Sequence, residues 1–176
     1  MAEEGKERWL NFVALTTVVL AVCATLATFN GAKYSTRSIL SQTQAANAWA
    51  YYQSKSIKGY IYENQLESIE LEMKKSKLPP TVAQAYEKRL DSYRQKIKKY
   101  DEEKADISRE AKRLETVRDE AQRHSGIFGI AVIFLQIAIL LCSISALMKK
   151  KYLWILGSCT GVVGVVYFLN GFFLFL

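Results

Sequence analysis

Three stretches of this sequence contain no Asp, Glu, Lys, Arg or His, and they decide what the chain can fold into. They cover residues 9–29, 126–147 and 152–176. Each has about the 20 apolar residues that cross a hydrocarbon core of about 30 Å. In lipid a backbone must satisfy its own N–H and C=O groups, and a lone segment does so only as a helix. The sequence therefore predicts an all-α protein with three transmembrane helices in a lipid bilayer. The first stretch exceeds the apolar core of a cleaved secretory signal, about 7–15 residues, so it is expected to stay as an anchor.

Residues 31–125 are different. Charges of both signs are interspersed there, as on a solvated helical surface. The only prolines of the chain, Pro79 and Pro80, sit in the middle. Proline removes an N–H and clashes with the preceding turn, so a helix ends before it. Lys74, Lys75 and Lys77 suit the negative end of that helix. Thr81 with Gln84 reads as a capping box opening the next. The prediction is one helix over 35–77 and another over 82–123, each about 42 residues or about 63 Å long. Short linkers at 30–34 and 125–126 would join them to the membrane segments.

The second of these helices has a three-four spacing, ten of whose twelve residues are apolar or aromatic: Ala83, Tyr86, Leu90, Tyr93, Ile97, Tyr100, Lys104, Ile107, Ala111, Leu114, Arg118 and Ala121. That is a coiled-coil seam. The first repeats it at Ser38, Ser41, Ala45, Ala48, Tyr52, Lys55, Gly59, Tyr62, Leu66, Ile69 and Met73. Folding back at the prolines sets Met73 against Tyr86, Ile69 against Leu90, Leu66 against Tyr93 and Tyr62 against Ile97. It also sets Lys55 against Lys104. Two ammonium groups in one layer must reach water along their stems or hold an anion between them. The expected architecture is three transmembrane helices with a long antiparallel coiled-coil hairpin inserted between the first and second. The divisions are 1–30, 31–125 with its turn at 78–81, and 126–176, whose two helices are joined by a short LysLysLys loop.

The first hairpin helix carries a second apolar face. Ala46, Trp49, Ala50, Ile57, Tyr60 and Ile61 fall outside the seam, whereas the outer positions of the second helix are charged. A helix apolar all round is buried all round. A second copy of the chain is the expected cover. A membrane surface or a different protein are the alternatives.

Two short blocks support a resemblance: VALTTVVLAVCATLAT at 13–28 and QAANAWAYYQSKSIKGYIYE at 44–63. The more specific is the run Trp49, Tyr51, Tyr52, Gln53, Lys55 and Ser56. With the three-span layout they make the chain resemble DUF4337, a domain of unknown function in bacterial membrane proteins. The resemblance implies a bacterial integral membrane protein and brings no activity and no catalytic residue.

Within the spans, Thr17, Ala21, Ala24 and Thr28 line one side of the first, and Gly157, Gly161 and Gly164 one side of the third. Both are expected to pack helices closely. Gln136 is the most polar residue near a span centre. It is expected to bond another helix or, less simply, to line a pathway. Cys23, Cys142 and Cys159 lie inside the apolar stretches with no CxxC spacing, and His124 stands by itself as an interfacial residue. No metal site, cofactor or redox centre is expected. With no nucleophile–base pair and no phosphate-cradling glycine loop, no enzyme is expected. The basic run at 96–99 lacks the aromatic context of a nucleic-acid module despite a net charge of +7. Lys149, Lys150 and Lys151 in a short loop predict a cytoplasmic loop. That places the N-terminus in the cytoplasm and the hairpin and C-terminus in the periplasm of an inner (cytoplasmic) membrane. Arg109, Lys112, Arg113, Arg118 and Arg123 before the second span pull the other way. The functions weighed are a homo-oligomeric scaffold, a channel along the first spans, and an accessory or sensor subunit with an unidentified membrane partner.

Overall fold

The computed structural model describes residues 2–75 and 78–175, with side chains from Trp9 onward. The described residues are all-α, with three helices: α1 (Ala2–Lys75), α2 (Pro80–Met148) and α3 (Lys151–Phe173). All three have a segment long and apolar enough to cross a membrane.

The expected linkers at 30–34 and 125–126 are absent. α1 runs helically through Asn30 and Gly31, and α2 through Ser125 and Gly126. A glycine costs a helix only about 1 kcal/mol, less than the cost of starting a new nucleus. Local bonds help as well. Asn30 Nδ2 donates to Leu26 O at 2.9 Å, and Ser125 Oγ donates across to Gly31 O at 3.1 Å. The change from apolar to charged residues therefore takes place inside continuous helices.

The start of α2 also differs from the capping-box expectation. The helix opens at Pro80, and Val82 and Ala83 both donate to Pro79 O at 3.0 Å. Proline suits the first helical position because its missing N–H would have had no partner there. Thr81 thus lies within the first turn. Lys74 and Lys75 occupy the last turn of α1, and Lys77 lies outside the described residues. α2 ends in a left-handed Lys149 (φ 54°). Lys150 N–H reaches back to Ser145 O at 3.2 Å, and Ser145 Oγ donates to Lys150 O at 2.9 Å. This closure satisfies the last carbonyls as a Schellman turn does.

The chain divides into two compact units, one of Met1–Leu40 with Arg118–Leu176, the other Ser41–Val117. The divisions fall further along α1 and α2 than the expected 30/31 and 125/126. In the first unit the core joins Trp9, Val13, Leu20, Ala24 and Ala27 of α1 to Phe128, Ala131, Leu135, Ala138 and Cys142 of α2. α3 closes against it with buried glycines. A Cβ on Gly164 would come within 2.9 Å of Leu135 Cγ and 3.0 Å of its backbone N. One on Gly171 would come within 2.7 Å of the Phe128 ring.

In the second unit α1 and α2 run antiparallel. Tyr62 meets Tyr93 (ring centroids 5.3 Å) and Tyr100 (6.0 Å). Arg94 pairs with Glu70 at 3.0 Å, and Tyr86 Oη donates to Glu72 at 3.1 Å. Leu66, Ile69 and Met73 on α1 and Ile97 and Ile107 on α2 are half-buried, and Leu90 and Leu114 are buried. Ala45 and Ala111 are buried where the helices approach with small residues.

Candidate functional site

The second unit carries the most side-chain chemistry. Lys55 and Lys104, expected to confront each other, each have a carboxylate instead. Lys55 Nζ lies 2.7 Å from Glu103 Oε2, and Lys104 Nζ lies 2.7 Å from Asp101 Oδ1. Lys55 is 14% exposed, and its ammonium also lies 5.0 Å and 5.5 Å from the Tyr51 and Tyr100 ring centroids. Such placement over aromatic faces favours the cation. The Glu103 contact, then that of Tyr51, holds the Lys55 pKa above its ordinary value, and Lys55 holds Glu103 below its own. Asp101 raises Lys104 in the same way. No free pair of ammonium groups is left to hold an anion. Seam spacing alone missed this because Glu103 and Asp101 lie outside the seam positions.

The outer face splits. Trp49 does not point away from α2. Its indole N–H donates to Glu115 Oε1 at 2.9 Å, and its ring stands edge-on to Tyr52 at 5.5 Å. An indole at the flank of a helix can turn toward a carboxylate beside the seam, which heptad counting does not reveal. Ala46, Ala50, Ile57, Tyr60 and Ile61 remain outside. Ile57 and Tyr60 are both 60% exposed and Ile61 is 49% exposed. Nothing among the described residues covers them.

In the first unit His124 is 9% exposed, so it is not an open interfacial residue. A carbonyl can only accept, so Nδ1–H of His124 donates to Gly171 O, at 2.7 Å. The ring stacks on Tyr34 at 4.4 Å, and Tyr34 in turn stacks on Phe128 at 6.0 Å. The signal for this was present: the three-four spacing that ends at Ala121 continues through His124, Phe128, Ala131, Leu135, Ala138 and Cys142.

Of the small-residue side of α1, Ala24 is buried, Thr17 is half-buried, and Ala21 and Thr28 face outward. The packed side is Val13, Leu20, Ala24 and Ala27, whereas the bulky Phe12, Leu15, Val22 and Phe29 are exposed. Gly157, Gly161 and Gly164 are buried. Gln136 is exposed on α2 and, among the described residues, bonds no other helix. Among the described residues no group of three His, Cys, Asp or Glu could hold a metal ion. The three cysteines are free.

Residues 9–174 match the family described as Domain of unknown function (DUF4337). The chain belongs to that family. The match takes in both the aromatic face at 46–61 and the glycines of α3. No curated protein and no solved structure matches the chain.

Proposed function

We propose that this protein is a homo-oligomeric membrane scaffold. Its three apolar segments anchor it in the bilayer, and residues 41–117 form an antiparallel coiled-coil hairpin whose outer α1 face binds a second copy. One observation carries the reading: Ile57, Tyr60 and Ile61 are exposed side by side on a helix whose other side already packs against α2. Two apolar faces on one helix call for two partners. The Tyr and Ile content of the stripe suits a protein contact, and its lack of charge suits the core of one. The three-lysine loop supports an inner-membrane orientation with the N-terminus in the cytoplasm and the hairpin in the periplasm.

Mass measurement of the full chain in detergent tests the assembly. The wild type is expected as a multiple of 20.0 kDa. Ile57→Glu with Ile61→Glu is expected to shift it toward the monomer while leaving helicity by circular dichroism unchanged. A wild type that runs at one copy at every protein-to-detergent ratio would exclude the scaffold.

A further inference from the structure

We propose that the outward face of α2 around Gln136 is a second self-contact, in which the Gln136 amides of two copies hydrogen-bond to each other inside the membrane. This rests on α2 crossing the bilayer and not on the outer-face contact of α1.

One stripe of α2 points away from the rest of the first unit: Gly129, Ile133, Gln136, Leu140 and Ser143 are all exposed. Ile133 and Leu140 are at home against lipid. Gln136 is not. Its amide has two N–H donors and an acceptor oxygen, and none has a partner among the described residues. Five hydroxyls in the apolar segments serve their own helices. Thr17, Thr25, Thr28, Ser143 and Thr160 each donate to the carbonyl four residues earlier. A glutamine cannot quiet both ends of its amide that way. Nor can it snorkel: it stands at the middle of residues 126–147, about 15 Å from either end at 1.5 Å per residue. An unpaired amide in hydrocarbon is costly.

The amide itself identifies the partner. It is its own complement, each oxygen accepting from the other's nitrogen. Copies of one chain inserted the same way carry Gln136 at the same depth, so a two-fold axis along the membrane normal sets Gln136 against Gln136. The surroundings permit the approach. A Cβ on Gly129 would meet nothing within 4 Å, and Gly129 and Ser143 are the small residues that let membrane helices come close.

The test is disulfide crosslinking of the full chain in membranes. The chain carries Leu140→Cys, with Cys23→Ala and Cys159→Ala, and keeps the fully buried Cys142. A dimer band is expected under mild oxidant. Gln136→Leu, equal in size and outward-facing, is expected to cut its yield about three- to thirtyfold, the range spanned by interhelical side-chain bonds in lipid. Gln136→Asn is expected to restore part of it. Absence of the dimer, an undiminished yield with Gln136→Leu, or labelling of Leu140→Cys by a membrane-impermeant maleimide would overturn the proposal. Repeating the series with Ile57→Glu and Ile61→Glu separates the two contacts. Gln136-dependent crosslinking is expected to persist there, and its loss would place self-association in the hairpin face alone.

Discussion

The same helix, α2, makes two unlike contacts in the two units. Against α3 it sets Leu135 and Phe128 on glycines, with backbones near enough that a single methyl would collide. Against α1 in the second unit it sets tyrosines, isoleucines and ion pairs at ordinary side-chain distances. The difference fits the proposed placement of the apolar segments in lipid and of the second unit in water. Apolar side chains gain little by leaving lipid for one another, so close packing must hold those helices. In water the burial of apolar area drives association, and charged groups at the rim can stay hydrated.

The sharpest way to break the comparison is to add bulk on the glycine side. Gly164→Leu places atoms where Leu135 already stands and should cost about 3 kcal/mol or more. Loss of helicity at lower temperature in detergent would show it. The same enlargement at the exposed Gly129 should leave protomer stability nearly unchanged, because nothing lies within 4 Å. Equal effects at the two sites would mean that α3 does not pack as described.

On the aromatic side, Tyr62→Ala removes a half-buried ring that meets Tyr93 and Tyr100. A loss of about 2 kcal/mol is expected from ring burial and ring contacts, read from urea unfolding of the second unit's helicity. Trp49→Phe keeps a ring beside Tyr52 but removes the donor to Glu115. It should cost about 1 kcal/mol, and an unchanged midpoint would return Trp49 to the outer face.

The smallest effect is electrostatic. Glu103 is held below its ordinary pKa by Lys55. Its contribution is whole above the usual glutamate value of about 4.3 and is lost as pH falls through the lowered folded value. Lys55 is raised, so its contribution is whole below the usual lysine value of about 10.4 and fades as pH climbs through the raised one. Glu103→Gln should flatten the acid side of the stability profile slightly, and a profile identical to wild type would show that the pair contributes nothing.

Much of this was legible in the residues. The charge-free stretches fixed the candidate spans, and the paired prolines fixed the reversal between α1 and α2. The three-four spacing marks residues that the structure holds away from solvent, from Tyr86 to Ala121. The misses share a cause. The linkers at 30–34 and 125–126 were inferred from a change of composition, but a helix stops only where its hydrogen bonds fail, and none fail there. Trp49 was expected on the outer face, and Lys55 was set against Lys104 without their carboxylate partners, because a heptad records where a Cα faces and not where a long side chain bends.

The residues by themselves determined the helical class, the three apolar segments long enough to cross a membrane and the point of reversal, because those follow from local hydrogen bonding and from transfer of apolar groups out of water. Only tertiary packing decided which carboxylate takes Lys55, that Trp49 turns to Glu115, and that His124 is shut against Gly171. Those outcomes depend on atoms brought together from distant parts of the chain, and no spacing along one helix records the side-chain angles that join them.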